Sequence, residues 1–174
     1  MNSTLKTFLD ILSLRAGPED LPSSPRLLVG VFVLLVVLQS GFGAWLMPDE
    51  AALLPQALLS GLVSLGWLAL VLRLFGKPER FLQTATAMLG VACAFAPIAI
   101  PVLATVRPTP GQPVAVSPLA MLAFLISLYL IYINGRILRS AIERPLFQCI
   151  VLFLLGEFVV FTLTLVLGVG SPEV

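Results

Sequence analysis

The sequence predicts an all-α membrane protein, a five-transmembrane-helix bundle with a short N-terminal amphipathic interfacial helix. Composition is the first observation behind this prediction, because 59% of the 174 residues are hydrophobic, 11% are charged and the mean hydropathy is +1.06. A water-soluble body of this size would expose large apolar patches. The second observation is a set of five long apolar stretches, with connections too short for a separate soluble domain. The third is that basic residues gather on one side of this pattern.

The N-terminal segment, residues 1–26, is predicted to carry an amphipathic helix from about Ser3 to Leu14. Two roles stay open for this helix: it lies flat in the membrane interface and docks a membrane surface or a partner, or it packs against the end of the bundle. Apolar side chains recur along it at helical spacing, at Leu5, Phe8, Leu9 and Leu12. A bent linker then follows, because proline lacks a helix donor and disfavours helix in the residue before it; the linker residues are Gly17, Pro18, Pro22 and Pro25.

The five apolar stretches form the predicted transmembrane domain, residues 27–169. Each is long enough to cross the membrane, because roughly 30 Å of hydrocarbon at about 1.5 Å per residue needs about 20 residues. The predicted spans are 27–47, 51–75, 81–106, 114–135 and 145–169, with an external tail at 170–174.

Nine of the ten basic residues fall on the same side of the five spans. They are Lys6, Arg15 and Arg26 before the first span, Arg73, Lys77 and Arg80 after the second, and Arg136, Arg139 and Arg144 after the fourth. Only Arg107 falls on the other side. The positive-inside bias therefore predicts a cytoplasmic N-terminus and an external C-terminus. Arginine outnumbers lysine, which fits a GC-rich bacterial gene and favours a bacterial inner membrane.

Several function classes find little support. A net charge of +1, spread over many short loops, gives no basic patch for nucleic acid. The chain has no histidine, and Glu157 is the only carboxylate well inside a span, so neither a metal cage nor a paired acid and base is predicted. Cys93 and Cys149 fall within spans at a spacing that fits no metal or redox motif, and they are expected to be small packing residues. We expect no enzymatic activity and no cofactor.

Glu157 is the first departure from simple apolar helix. It lies about 12 residues, hence roughly 18 Å, from the start of the fifth span, which is close to the midplane. A carboxylate at that depth costs several kcal/mol, so we expect it to be protonated, hydrogen-bonded or in a hydrated cavity, and to face protein rather than lipid. Three roles stay open: proton or cation handling, a polar clamp to another helix or subunit, or a neutral acid bonded within the bundle.

Counting the same depth along the other spans predicts which groups could meet Glu157. Gln39 is the favoured partner, because an amide can both donate to and accept from a carboxyl group. The predicted intramembrane polar layer comprises Gln39, Ser40, Ser60, Ser64, Cys93 and Ser127.

The third span contains the second departure, a pair of prolines four residues apart. Pro97 and Pro101 each remove a backbone hydrogen bond, so a kink is predicted in the outer half of this helix. The freed carbonyls could coordinate ions or pivot a gate, as broken helices do in transporters, or neighbouring groups could satisfy them.

Small residues at close spacing are the third departure. Such spacing lets helix backbones approach closely, and it predicts a tightly packed bundle or a dimer face. The pairs are Gly90 with Ala94, Ala92 with Ala96, Ser60 with Ser64, and Gly61 with Gly66.

The junction of the second and third spans reads LRLFGKPERFLQT from Leu72 to Thr84, followed by a small-residue helix that reaches Pro97. This segment resembles the Yip1 family of five-span membrane proteins, in which a Gly-Lys loop leads into a phenylalanine, a Gln-Thr pair and a small-residue helix interrupted by proline. The resemblance is close over residues 72–101. It implies a non-enzymatic protein that organises membranes or binds partners, which in eukaryotic relatives means vesicle traffic and small GTPases. The 26-residue N-terminal segment is far shorter than theirs.

The sequence therefore predicts a Yip1-like scaffold or accessory subunit in the lipid bilayer, with a membrane-protein partner or a homo-oligomer and without nucleic acid. The alternative is a small proton- or cation-coupled transporter or channel built on Glu157 and the proline-broken third span. Transporters are often built from internal repeats, and no convincing repeat occurs among the five spans.

Overall fold

The computed structural model describes residues 3–46, 53–105 and 118–167, and within these ranges it contains helices and no β-strand. The helices are α1 (Ser3–Leu12), α2 (Pro25–Leu46), α3 (Leu53–Leu74), α4 (Phe81–Thr105), α5 (Pro118–Ile142) and α6 (Leu146–Val166). Helices α2 to α6 are each long and apolar enough to cross a membrane. The predicted all-α, five-span class of integral membrane protein is confirmed.

The five long helices pack as a closed ring. Helix α2 packs against α4, α4 against α5, α5 against α6, α6 against α3, and α3 against α2. Helix α3 also touches α4 across the ring. The order around the ring therefore differs from the order along the chain, and α3 lies between α2 and α6.

Helix α4 is the central helix of the bundle because its side chains are small. Five of them are completely buried, and two of the five are polar: Thr84, Ala85, Thr86, Ala87 and Val91. The Thr84 hydroxyl donates to the Arg80 carbonyl at 2.8 Å, and the Thr86 hydroxyl donates to the Leu82 carbonyl at 2.7 Å. Both hydroxyls are thus satisfied by carbonyls four residues earlier in the chain, and neighbouring backbones can approach α4 closely.

The fourth span ends later than predicted. Helix α5 continues to Ile142, seven residues beyond the predicted end at residue 135, so the connection to α6 is only residues 143–145. Two exposed arginines interrupt the apolar run, but the helical pattern continues through them because the residues on the inner face stay apolar and buried: Ile137, Leu138, Ala141 and Ile142. The helix stops at Glu143, whose backbone is left-handed with φ 56°, and Pro145 precedes α6.

Other predicted bounds differ by a few residues or fall outside the described ranges. Helix α1 ends at Leu12 instead of Leu14, because Leu14 has a left-handed backbone with φ 63°. Arg107, the tail at 170–174 and the predicted span ends at 47, 51–52, 106, 114–117 and 168–169 lie outside the described residues.

Helix α1 packs into the bundle between α4 and α5. Ile11 is almost fully buried in an apolar cluster with residues of both helices. The Phe8 ring lies against Gly90 of α4, where any side chain would collide with it. The Tyr129 hydroxyl of α5 donates to the Leu12 carbonyl. Of the two roles left open for this helix, the structure supports packing against the bundle.

Candidate functional site

Glu157 lies in the middle of α6 but at the edge of the face that contacts the bundle. Helix α6 turns two buried residues, Cys149 and Gly156, toward its neighbours. They are seven residues apart, hence two turns along the same face, and Glu157 follows Gly156 by one residue, or about 100° around the helix. The Glu157 side chain is therefore exposed on the outer side of the bundle. The prediction that it would face protein rather than lipid does not hold for this exposed side chain, because α6 offers only a narrow inward face.

A small cavity of about 40 Å³ lies beside Glu157. Its walls come from α3, α4, α5 and α6 and are mostly apolar: Ser64, Trp67, Leu68, Val71, Met88, Leu138, Phe153, Gly156 and Glu157. A volume of about 10–15 Å³ suffices for one water molecule, so the cavity has room for very few. Ser64 and Glu157 share this cavity, in agreement with their predicted depth. Within the described residues, the Glu157 carboxyl has no hydrogen-bond partner.

Trp67 joins α3 to α6 next to Glu157. Its indole N–H donates to the Leu152 carbonyl at 3.0 Å. The ring lies so close to Gly156 that a Cβ there would be 2.5 Å from the indole Cδ1. The sequence prediction missed this contact, although two signals were present: a tryptophan in the middle of a span needs an acceptor for its N–H, and a glycine within a span permits close approach.

Gln39 is not brought to Glu157. It does not line the cavity, and no hydrogen bond joins the two side chains. The reason is the order of the ring, in which α2 packs on α3 and α4 while α6 packs on α3 and α5. Depth along a helix does not determine which helices are neighbours.

The other predicted polar residues also lie apart from Glu157. The Ser40 hydroxyl oxygen is buried and has no hydrogen-bond partner among the described residues. The Cys93 thiol lies 3.5 Å from the Val31 carbonyl, across the contact between α4 and α2. Cys93 belongs to the apolar core of that contact, which supports the packing role expected for it.

The third span is one uninterrupted helix, and the kink predicted at its two prolines stays a prediction. Helix α4 continues from Phe81 to Thr105 with both Pro97 and Pro101 inside it. Pro97 is exposed, while Ala96 and Ala99 are buried, so the helix keeps a small-residue packing face through the first proline. Membrane helices tolerate proline where neighbouring groups satisfy the freed carbonyls.

Charged residues form a second cluster at one end of the bundle, here called the basic end: the start of α2, the α3–α4 turn and the α5–α6 turn. The Glu143 carboxylate lies 2.8 Å from Arg80 Nη2 and 3.3 Å from Lys77 Nζ. The hydrogen bond from Lys77 and the Lys77 charge, followed by the same two effects from Arg80, hold the pKa of Glu143 below its ordinary value. Glu143 lies in the short turn between α5 and α6, and its side chain is 57% exposed. The longer α5 carries this exposed carboxylate to the α3–α4 turn, where the two ion pairs form.

Backbone carbonyls complete this cluster. Arg80 Nη1 donates to the carbonyls of Ser140 at 2.7 Å and Ala141 at 3.1 Å. Gln83 Nε2 donates to the Leu21 carbonyl at 2.8 Å. Lys77, Arg80 and Gln83 all belong to the segment on which the resemblance to the Yip1 family rests. They tie the start of α4 to the end of α5 and to the N-terminal segment.

No group of three or more histidine, cysteine, aspartate or glutamate residues in the described ranges could hold a metal ion. Comparisons of the chain with protein-family models, with curated proteins and with solved structures each give no match. The resemblance to the Yip1 family therefore stays a prediction.

Proposed function

We propose that this protein is a non-enzymatic, Yip1-like membrane scaffold or accessory subunit that binds a partner membrane protein through α6. The observation that carries the proposal is Glu157, an exposed carboxyl group near the middle of a span without a hydrogen bond to the described residues. We place the protein in a bacterial inner membrane with its basic end in the cytoplasm, on the basis of the basic residues.

The free-energy cost of leaving the Glu157 carboxyl group unpaired in the membrane supports the presence of a partner. A polar group in hydrocarbon without a hydrogen bond costs several kcal/mol, and an ionised one costs more. A helix that brings an amide, a hydroxyl or a basic group to the same depth would recover much of this cost. The partner expected here is therefore a transmembrane helix with one such group near its midpoint.

The surface around Glu157 fits a helix partner. Phe158 and Phe161 are 65% and 63% exposed, and they follow Glu157 along the outer side of α6. Aromatic side chains are frequent anchors of protein interfaces because they bury much area with few rotatable bonds. Helix α6 is also the least buried of the five spans.

The transporter alternative receives less support from this geometry. The cavity beside Glu157 is about 40 Å³ and mostly apolar. Helix α4 is not unwound at Pro97 or Pro101, so unwound carbonyls that could coordinate a cation are lacking there. Neither the cavity nor α4 therefore favours a role of Glu157 in coupled transport over a role in partner binding.

Photocrosslinking in the native membrane tests the proposal. A photoreactive phenylalanine analogue at position 158 or 161 is expected to give a protein adduct of defined mass. The same analogue at Phe124 of α5, which is also 63% exposed, is the matched control and is expected to give no such adduct. Equal adducts at all three positions, or none at 158 and 161, would oppose a partner on α6.

Substitution of the carboxyl group then tests whether it takes part. Glu157→Gln keeps a hydrogen-bonding group and is expected to retain the adduct, whereas Glu157→Leu is expected to lose it. An adduct that survives Glu157→Leu would show that the partner does not use Glu157.

A further inference from the structure

Three arginines at the basic end line a single crevice. The crevice has a volume of about 670 Å³ and lies where α5 turns into α6. Its walls are Arg136, Arg139, Ser140, Glu143, Arg144 and Pro145. We propose that this crevice binds the phosphate group of an anionic phospholipid of the adjoining leaflet. The proposal is independent of the partner on α6.

The charges in and beside the crevice favour an anion. Glu143 is its one carboxylate, and this group is already paired with Lys77 and Arg80 outside the crevice. Within the described residues, none of the three crevice arginines forms an ion pair. Their guanidinium groups are therefore not held by a carboxylate of the described chain and can pair with an external anion.

The geometry suits a phosphate in particular. Arg136, Arg139 and Ser140 are three and four residues apart on one face of α5, so both arginines line the same crevice. Arg144 approaches from the turn, and its guanidinium lies 5.5 Å from the centre of the Phe75 ring, which limits its freedom. Guanidinium groups form paired hydrogen bonds with phosphate oxygens, which the ammonium group of lysine cannot reproduce.

The position of the crevice favours a lipid over a soluble phosphate. Helix α5 has 25 residues, about five more than the hydrocarbon core requires, so its last turns reach headgroup depth. Phe147, two residues beyond Pro145, is 77% exposed at the start of α6 and offers an apolar surface for an acyl chain. Basic pockets at the ends of membrane helices are typical sites for anionic headgroups.

Titration of the purified full-length protein with phosphatidylglycerol, followed by native mass spectrometry, tests the proposal. The crevice variant carries Arg136→Gln, Arg139→Gln and Arg144→Gln. The control variant carries Arg15→Gln, Arg26→Gln and Arg73→Gln, which removes the same charge from exposed residues at the same end. We expect binding to weaken about tenfold or more in the crevice variant and about twofold in the control, because only the former loses charge-assisted hydrogen bonds. Phosphatidylcholine is expected to bind weakly to all three proteins.

A single-substitution variant and a competition with inorganic phosphate complete the test. Arg139→Gln alone is expected to weaken binding about threefold, and it serves if the triple variant does not fold. Inorganic phosphate in tenfold excess over the lipid is expected to leave the lipid bound. Equal weakening in the crevice and control variants would reduce the effect to general charge and overturn the site, as would unchanged binding in the crevice variant. Displacement of the lipid by inorganic phosphate would overturn the assignment to a lipid.

Discussion

Helices α4 and α6 have opposite relations to the rest of the protein. In the most apolar stretch of α4, 44% of the residues are buried within the protein, against 11% in α6, although α6 is the more apolar helix. In water the more apolar helix would be the more buried one. In a membrane, lipid solvates large apolar side chains as well as a protein core does, and the helix with small side chains becomes central because backbones can approach it.

This difference determines which exposed residues of α6 can indicate a binding partner. Its exposed leucines and phenylalanines are satisfied by lipid, so they do not by themselves indicate a partner. Glu157 is different because lipid cannot satisfy a carboxyl group. The proposed function therefore rests first on one polar residue of α6, and the exposed aromatic side chains beside it are only secondary support.

The largest effect is expected when a small, buried residue of α4 is enlarged. Ala87→Leu places three additional carbons where the side chain is fully buried, and we expect it to destabilise the protein by about 3 kcal/mol. Ala94→Leu, at an exposed position of the same helix, is expected to change stability by about 0.5 kcal/mol or less. Reversible unfolding in mixed micelles measures both. Similar losses for the two variants would contradict the central position of α4.

A smaller effect is expected where α1 meets α5. Tyr129→Phe removes the hydrogen bond to the Leu12 carbonyl, and we expect a loss of about 1 kcal/mol with faster hydrogen exchange in residues 3–14. Tyr132→Phe is the control, because Tyr132 is more exposed and forms no hydrogen bond among the described residues. Unchanged exchange in Tyr129→Phe would show that this bond does not hold α1 in place.

The smallest effect concerns the exposed ion pairs at the basic end. The pKa of Glu143 is lower in the folded protein than its ordinary value of 4.5, so its contribution to stability is present above pH 4.5 and is lost as the pH falls through the lower, folded-state value. Glu143→Gln is expected to remove this part of the acid dependence of the unfolding midpoint. Glu79→Gln, on the α3–α4 turn that carries Lys77 and Arg80 and without an ion pair among the described residues, is expected to keep it. An identical acid dependence in Glu143→Gln and the unsubstituted protein would contradict the pairing.

The five spans could be predicted from the sequence because length and hydropathy suffice to identify a membrane helix. The end of α5 could not, since Arg136 and Arg139 interrupt the apolar run while the helical pattern continues beneath them. An apolar run shows which part of a helix lies in the hydrocarbon. The helix itself can continue beyond that run, as α5 does, where one of its faces still packs on protein.

The depth of the polar residues in the membrane could be predicted from the sequence, but which of them lie on neighbouring helices could not. Ser64 shares the cavity of Glu157, as its depth predicts, whereas Gln39 lies on a helix that is not a neighbour of α6. The ring order is a tertiary property, set by small surfaces such as Gly156 against Trp67. The cluster around Glu143 was missed for a related reason, because it joins residues 66 positions apart through the unpredicted end of α5.

The most direct test of the account is the stability of the isolated, monomeric protein after Glu157→Leu, measured by unfolding in mixed micelles. If the carboxyl group serves a partner, it gains nothing from its own bundle, and the substitution leaves the free energy of unfolding unchanged within about 0.5 kcal/mol or raises it. Glu157→Gln is expected to behave in the same way. A loss of more than about 1 kcal/mol in Glu157→Leu that is restored in Glu157→Gln would place the bond of Glu157 within the bundle and contradict its role in binding a partner.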